Sequence, residues 1–164
     1  IKYSPKVGDI VEINNEMIDK ILERKNELIR PDIANVDQIL LVFAAKEPDF
    51  SFYLLDLFIA NITKQNILPL IVISKIDKLT DEELVDLKQK MNYYSDLGYP
   101  VLFVDSKHNV GIDKVIEHLK NKGVKGIMLT TWIKNEKGRG FYDKYGFTLL
   151  EEMKNCAVYG LKLK

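Results

Sequence analysis

Leu68-Pro69-Leu70-Ile71-Val72-Ile73-Ser74-Lys75-Ile76-Asp77 decides how this 164-residue chain folds. From Leu68 to Ser74 the stretch is apolar, short and rich in β-branched side chains, the pattern of a strand buried on both faces as parallel sheets require. Pro69 stands near its start, where a missing N–H does least harm to a ladder. The run then breaks into polar residues, which marks a strand end opening into a loop.

Working outward, the same pattern recurs on both sides. Ile39-Leu40-Leu41-Val42-Phe43 and Val101-Leu102-Phe103-Val104 are apolar runs of strand length. Between them lie helical patterns, one from about Ser51 to Lys64 and one opened by Thr80-Asp81-Glu82-Glu83. The latter matches a capping box, and Leu84, Leu87 and Met91 continue an apolar stripe until Gly98. Ile112 to Leu119 reads as a third amphipathic helix. After Gly123-Val124-Lys125-Gly126 we expect a strand Ile127 to Trp132 and a helix around Glu136 to Tyr145. Strands from about Phe147 to Met153 and Ala157 to Leu163 should form an antiparallel hairpin. The alternation predicts an α/β fold: a doubly wound, three-layer α/β/α arrangement with a mostly parallel sheet and a C-terminal antiparallel hairpin. Ligands of such folds bind beyond the carboxyl ends of the strands, so the loops after Val42, Ile73 and Val104 are the places to look. At the other end, Val7 to Ile13 reads as a strand, followed by a helical or extended connector through about Arg24. Trp132, at a strand end, is expected to be a packing residue.

Composition narrows the function classes. Lys and Arg number 24 against 24 Asp and Glu, a formal net charge of zero, so no whole-molecule field draws the chain to nucleic acid or an acidic membrane. One cysteine, Cys156, rules out an internal disulfide, and with only His108 and His118 beside it no zinc cluster is expected. No apolar run approaches the roughly 20 residues of a membrane span and the start lacks the parts of a signal peptide, so the chain reads as cytoplasmic with no membrane partner. Its opening at Ile1 suggests a fragment of something longer.

Ser74-Lys75-Ile76-Asp77 is close to the Asn/Thr-Lys-x-Asp motif by which GTPases select guanine. A carboxylate at the last position accepts from both N1–H and the 2-amino group of guanine, a pairing adenine does not satisfy, while the lysine stem lies along the base plane. Lysine and aspartate abound in such loops, so by itself the tetrad marks only a polar loop. Its neighbour adds to it: the next strand ends in Val104-Asp105-Ser106-Lys107, which resembles the Ser-Ala-Lys loop whose backbone N–H groups hold the guanine O6. Ser74, Lys75, Asp77, Ser106 and Lys107 are the candidate nucleotide-binding residues.

Upstream, Glu23-Arg24-Lys25-Asn26-Glu27-Leu28-Ile29-Arg30-Pro31 and Ile33-Ala34-Asn35-Val36-Asp37-Gln38 resemble the entry to the G domain of the ribosome small-subunit-dependent GTPase A family. Glu47-Pro48-Asp49-Phe50 and Leu54-Leu55-Asp56-Leu57-Phe58 continue the resemblance. In that family an oligonucleotide-binding barrel comes first and the guanine motifs precede the phosphate-binding loop, a circular permutation. The resemblance implies GTP or GDP as ligand and the small ribosomal subunit as partner. It also implies residues 1–22 as the remnant of the barrel and its linker and 23–122 as the base-recognition half, leaving 123–164 as a β-α-β-β segment, acetyltransferase-like by the second resemblance below, that completes the same domain. Two departures stand out, Leu57 where the family carries arginine and Ser74 where it carries Asn or Thr.

The resemblance further implies Gly-x-x-x-x-Gly-Lys-Ser/Thr after Lys122, to cradle phosphate and seat Mg²⁺. None of the nine glycines stands in that pattern. The expectation is weak nucleotide binding through the base, no seat for Mg²⁺ and no unaided hydrolysis, and the family's Cys/His zinc site is missing too. Asp143-Lys144-Tyr145-Gly146 matches a switch motif in form but falls in the expected helix.

From Leu129 to Phe147 the text resembles the closing segment of the GCN5-related N-acetyltransferases. That second resemblance implies acetyl-CoA as ligand, Asn135 along the coenzyme arm and Tyr142 as the general acid that protonates the leaving thiolate. The alternative for Phe141, Tyr142, Tyr145 and Phe147 is a set of core and rim aromatics. Two partial resemblances meeting near Lys122 leave three readings open: a guanine-nucleotide-binding domain, an acyltransferase fragment, or a chimeric or engineered α/β scaffold without catalysis.

Overall fold

A computed structural model describes residues 4–29, 32–144, 146–152 and 154–162. Ile1, Arg30, Pro31, Tyr145, Met153 and Leu163, which figure in the sequence reading, lie outside them. The chain gathers into two compact units, the first running to Ile116 and the second starting at Glu117.

The first unit opens differently from the sequence expectation. The strand is confined to β1 (Val11–Asn14), and the connector is a second strand, β2 (Met17–Ile21), paired antiparallel with it. Asn15 and Glu16, both at positive φ, make the two-residue turn between them. The usual signal for that turn is Asn-Gly, and glutamate at its second position hides it from a sequence reading. Two short strands follow, β3 (Glu27–Leu28) and β4 (Ile33–Ala34), antiparallel to each other. Side chains of the Glu23 to Gln38 stretch fasten this region. Arg24 Nε and Nη2 fork onto the two oxygens of Asp9 at 2.7 and 2.9 Å, and the Lys6 N–H donates to the same carboxylate at 2.7 Å. Asn26 pairs with both the N–H and the carbonyl of Val36 at 2.8 Å. The Arg24 fork, foremost, holds the buried Asp9 carboxyl below the usual carboxylate range.

Next comes the parallel sheet. Its strands β5 (Ile39–Ala44), β6 (Pro69–Ser74) and β7 (Val101–Phe103) lie in the order β5-β6-β7, with Phe43 beside Ile73 and Ile73 beside Phe103. Every residue of β6 but Ser74 is buried, as its unbroken apolar run requires of a central strand. Helix α1 (Phe52–Thr63) starts where the Ser51 hydroxyl accepts from the Leu54 N–H. Helix α2 (Asp81–Asp96) carries the expected capping box between Thr80 and Glu83. Leu55, Ile59 and Ile62 of α1 and Leu87, Met91 and Tyr94 of α2 join Ile71 and Ile73 in one core. Each fully buried aliphatic contributes about 1.5–3 kcal/mol. The Tyr94 hydroxyl donates to Asp56 at 2.7 Å, and burial, then that carboxylate, push its ionisation up so that it stays a donor.

Helix α3 (Ile112–Asn121) spans the boundary between the units. In the second unit β8 (Gly126–Trp132), α4 (Glu136–Lys144), β9 (Thr148–Glu152) and β10 (Cys156–Lys162) follow in the expected order. Their sheet has the order β8-β10-β9 and is antiparallel throughout, so β8 is bonded to β10 rather than extending the parallel sheet. The hairpin was legible from its alternation, but the third partner was not, because strand pairing beyond a hairpin is non-local. Trp132 also departs from expectation. Thr131 is buried, and the two-residue period of a strand turns Trp132 to the other face, where it is 62% exposed with Lys134 Nζ 5.9 Å from its ring centre.

Candidate functional site

The carboxyl ends of β5, β6 and β7 each open into a loop, and the sequence-derived candidates of the first unit lie on two of these. After β6, Ser74 is half-buried and its hydroxyl donates to the Phe43 carbonyl of β5 at 3.0 Å. The hydroxyl is thus used to tie two strand ends together. Lys75 sits at φ 57°, a left-handed conformation uncommon for a side-chain-bearing residue, and it turns the chain sharply into a short 3-10 turn, Ile76–Lys78. That turn presents Asp77 to solvent. Lys75 Nζ reaches the Glu47 carbonyl and Lys78 Nζ the Glu47 carboxylate, which links the loop to the one after β5. The Lys78 ammonium, first of its neighbours, lowers the Glu47 carboxyl.

After β7, the backbone N–H and carbonyl of Asp105 bond the carbonyl and N–H of Val110 at 3.0 and 2.9 Å. These bonds close a small loop holding Ser106 and Lys107, both exposed. Its organiser was absent from the sequence-derived candidates. Asp105 is 5% exposed, and its Oδ1 accepts from the Lys107 N–H at 2.9 Å and the His108 N–H at 3.1 Å, while Oδ2 contacts Nδ1 of His108. Burial alone would raise this carboxyl; the bonds from the His108 ring, the His108 N–H and the Lys107 N–H outweigh it and hold the group low. An aspartate whose carboxylate accepts from the backbone N–H two residues on is a turn former, and Asp-Ser-Lys-His-Asn-Val-Gly carries that signal. Gly111 closes the loop at φ 76°, where a Cβ would stand 2.3 Å from the Phe103 carbonyl oxygen.

The structure brings these two loops side by side. Val104 N–H donates to Ile73 O at 2.8 Å, and Ile76 N–H reaches Val104 O at 3.5 Å. Asn135 and Tyr142 belong to the second unit. Asn135 stands just ahead of α4, with its side-chain amide donating to Thr131 Oγ1 at 3.0 Å. Tyr142 packs against the rings of Phe147 and Tyr159, at 5.7 and 5.3 Å between centres. Arg139 of the same helix donates to Tyr159 at 3.2 Å and pairs with Glu152 at 2.5 Å. Leu57, at the departure from the family pattern, lies on an exposed face of α1 with Tyr53, Leu54 and Phe58. Among the described residues no group of three or more His, Cys, Asp or Glu side chains is placed to hold a metal, and no helix is long and apolar enough to cross a membrane.

A parallel sheet with two polar loops joined at neighbouring strand ends defines the class of α/β domain whose ligands sit at the carboxyl edge of the sheet. Comparison with known proteins gives the family: the RsgA GTPase family model matches residues 21–128, and the chain belongs to that family. The small ribosomal subunit biogenesis GTPase RsgA of Halalkalibacterium halodurans is 49% identical over 116 residues, 68% of this chain and 40% of the relative. Its namesake in Fusobacterium nucleatum is 39% identical over 122 residues, covering 74% of the chain and 43% of the relative. Of solved structures, YloQ, described as a circularly permuted GTPase, matches with TM-score 0.60 and 36% identity over 73% of this chain and 43% of its own. YjeQ from Thermotoga maritima matches with TM-score 0.64 and 34% identity over 71% and 43%. The chain spans about two fifths of the length of these relatives.

Proposed function

We propose that residues 23–122 are the guanine-recognising half of a permuted GTPase domain, with Asp77 as base acceptor, Lys75 along the base plane and the Ser106-Lys107 loop facing the base carbonyl. The observation that carries the reading is the union of the two loops through Ile73, Ile76 and Val104 at adjacent strand ends. One base can touch both only if they share an edge, and here the backbone itself joins them. Residues up to about 22 would close an oligonucleotide-binding barrel, and the relatives' name makes the small ribosomal subunit the proposed partner.

This sequence carries no Gly-x-x-x-x-Gly-Lys-Ser/Thr, so the residues in hand offer the β- and γ-phosphates no cradle and Mg²⁺ no hydroxyl. Base contacts alone must then offset the entropy of fixing a nucleotide, and GDP and GTP should bind weakly and alike. Hydrolysis by this chain alone is not part of the proposal.

Titration with GDP, ADP and XDP, on the parent and on Asp77→Asn, tests it. The parent should favour GDP over ADP. Asp77→Asn presents a donor where guanine needs a second acceptor and should weaken GDP by roughly 1–3 kcal/mol, while XDP, with a carbonyl in place of the amine, should lose less or gain. An unchanged GDP affinity at unchanged stability would reduce Asp77 to a surface aspartate.

A second reading, an acyltransferase segment in residues 129–163, is favoured by one observation. Asn135 stands directly ahead of α4 and Tyr142 near its end, the placement that the resemblance implies for them. Acetyl-CoA titration checks it, and a ligand at a hundred times its dissociation constant would stabilise the chain by about 2.7 kcal/mol.

A further inference from the structure

Helix α1 has the composition of a buried helix. Of its 12 residues, Phe52–Thr63, only Asp56 is charged, and that carboxylate accepts from the Tyr94 hydroxyl at 2.7 Å. Leu55, Ile59 and Ile62 enter the core. On the remaining face Tyr53, Leu54, Leu57 and Phe58 are between 45 and 75% exposed. They lie along two neighbouring i to i+4 rows, Tyr53-Leu57-Asn61 and Leu54-Phe58. A helix at a solvated surface ordinarily turns charge outward, as α2 does with its Asp86–Lys90 pair at 2.7 Å. Four large apolar side chains together at the surface mark a contact face instead.

We propose that this face of α1 is a two-fold interface that docks a second copy of the chain, the two α1 helices running antiparallel. Three observations favour a second copy over another partner. The four side chains are uncharged, so two copies meet there without repulsion. The ends of the face are opposite in charge: Asp49 is exposed just ahead of the helix and Lys64 is exposed at its C-cap, and neither is in an ion pair among the described residues. An antiparallel pairing brings Lys64 of each copy to the Asp49 end of the other and opposes the two helix dipoles. Leu57, finally, lies near the middle of the helix, where a two-fold axis sets a residue against itself. Leucine there packs on leucine, whereas the arginine of the family pattern would face its own charge. The i to i+4 rows of the two helices interdigitate as ridges and grooves. One short helix from each copy makes a small contact, so the dimer is weak and concentration-dependent.

Sedimentation velocity of the full chain, from micromolar to near-millimolar concentration, tests this. The mass should climb from one chain toward two. Leu57→Arg and Leu57→Glu, both at an exposed position, should each raise the dissociation constant by roughly tenfold or more, with thermal midpoints near the parent's. Their equimolar mixture should dimerise again, because a self-facing position 57 pairs the two introduced charges. Lys64→Glu and Asp49→Lys keep the test open should the Leu57 variants not fold: each alone should weaken the dimer, and the two together in one chain should restore it. A parent that stays monomeric throughout would overturn the interface and leave the face to a different polypeptide. Self-association unmoved by Leu57→Arg and by Lys64→Glu would place the dimer elsewhere and overturn it equally, as would variants that lose association singly and stay monomeric when mixed. Nucleotide plays no part in this contact, so its failure leaves the guanine reading untouched.

Discussion

The loops after β6 and β7 stand at neighbouring strand ends and are held in opposite ways. The first is fastened from outside: Ser74 to the Phe43 carbonyl, Lys75 and Lys78 to Glu47, all about thirty residues away in sequence. The second is fastened from within, by Asp105 on residues two and three positions ahead of it. A loop held by distant partners has its shape set by the fold, and one held by its own carboxylate keeps its shape with fewer neighbours. The pair therefore combines a mouldable side that carries Asp77 with a preset side that carries Ser106.

The sharpest way to break the preset side is Gly111→Ala. A Cβ at φ 76° carries left-handed strain of about 1–2 kcal/mol, and its 2.3 Å approach to the Phe103 carbonyl oxygen adds overpacking of roughly 1–3 kcal/mol. Gly98→Ala, at φ 89° but with nothing within 4 Å, should show the strain alone. Urea unfolding of the two variants, compared, isolates the clash; equal losses would mean that the loop gives way freely.

On the mouldable side a smaller loss is expected. Ser74→Ala removes one hydroxyl bond and should cost about 1 kcal/mol in a thermal melt. Because Ser74 is tied to Phe43, it should also loosen the turn that places Asp77, so GDP affinity should fall in parallel, whereas Thr80→Ala should cost about 1 kcal/mol of stability by loss of its cap and leave GDP binding alone. A Ser74→Ala variant with normal GDP affinity would show that the turn is set by Lys75 instead.

The smallest effect separates the loops by pH. The Asp105 carboxyl is held low, so its contribution is complete above the ordinary carboxylate value of about 4 and is lost as pH falls through its folded value. Amide exchange at Lys107 and His108 should stay protected from neutral pH down to that range and open below it. The Ser74 hydroxyl bond has no titrating partner and should persist. Amides at Lys107 and His108 that open already at neutral pH would show that the carboxylate does not hold them.

The two loops also differ in how legible they were in the sequence. That Ser74 to Asp77 form a polar loop at the end of β6 was legible because the apolar run breaks there into polar residues. Asp105 was less legible: an aspartate opening a turn is a local signal, but its burial and its hold on the Lys107 and His108 N–H groups depend on the fold around it. The turn at Asn15 and Glu16 was missed for a different reason: no glycine marked it. The exposure of Trp132 was not legible, because a large apolar side chain at a strand end is assigned to one face or the other only by the burial of its neighbour Thr131.

The sequence by itself determined the elements, their order and the caps: β5, β6, β7, α1 and α2 follow from apolar period, from Pro69 and from the Thr80 to Glu83 box, all of them interactions within a few residues. Tertiary structure alone decided which strands are bonded, that β8 pairs with β10, that the Ser74 hydroxyl is used on β5, and that Asp105 is buried. These depend on partners distant in the chain or on which side water is excluded, and neither distance in space nor exclusion of water is written in local spacing.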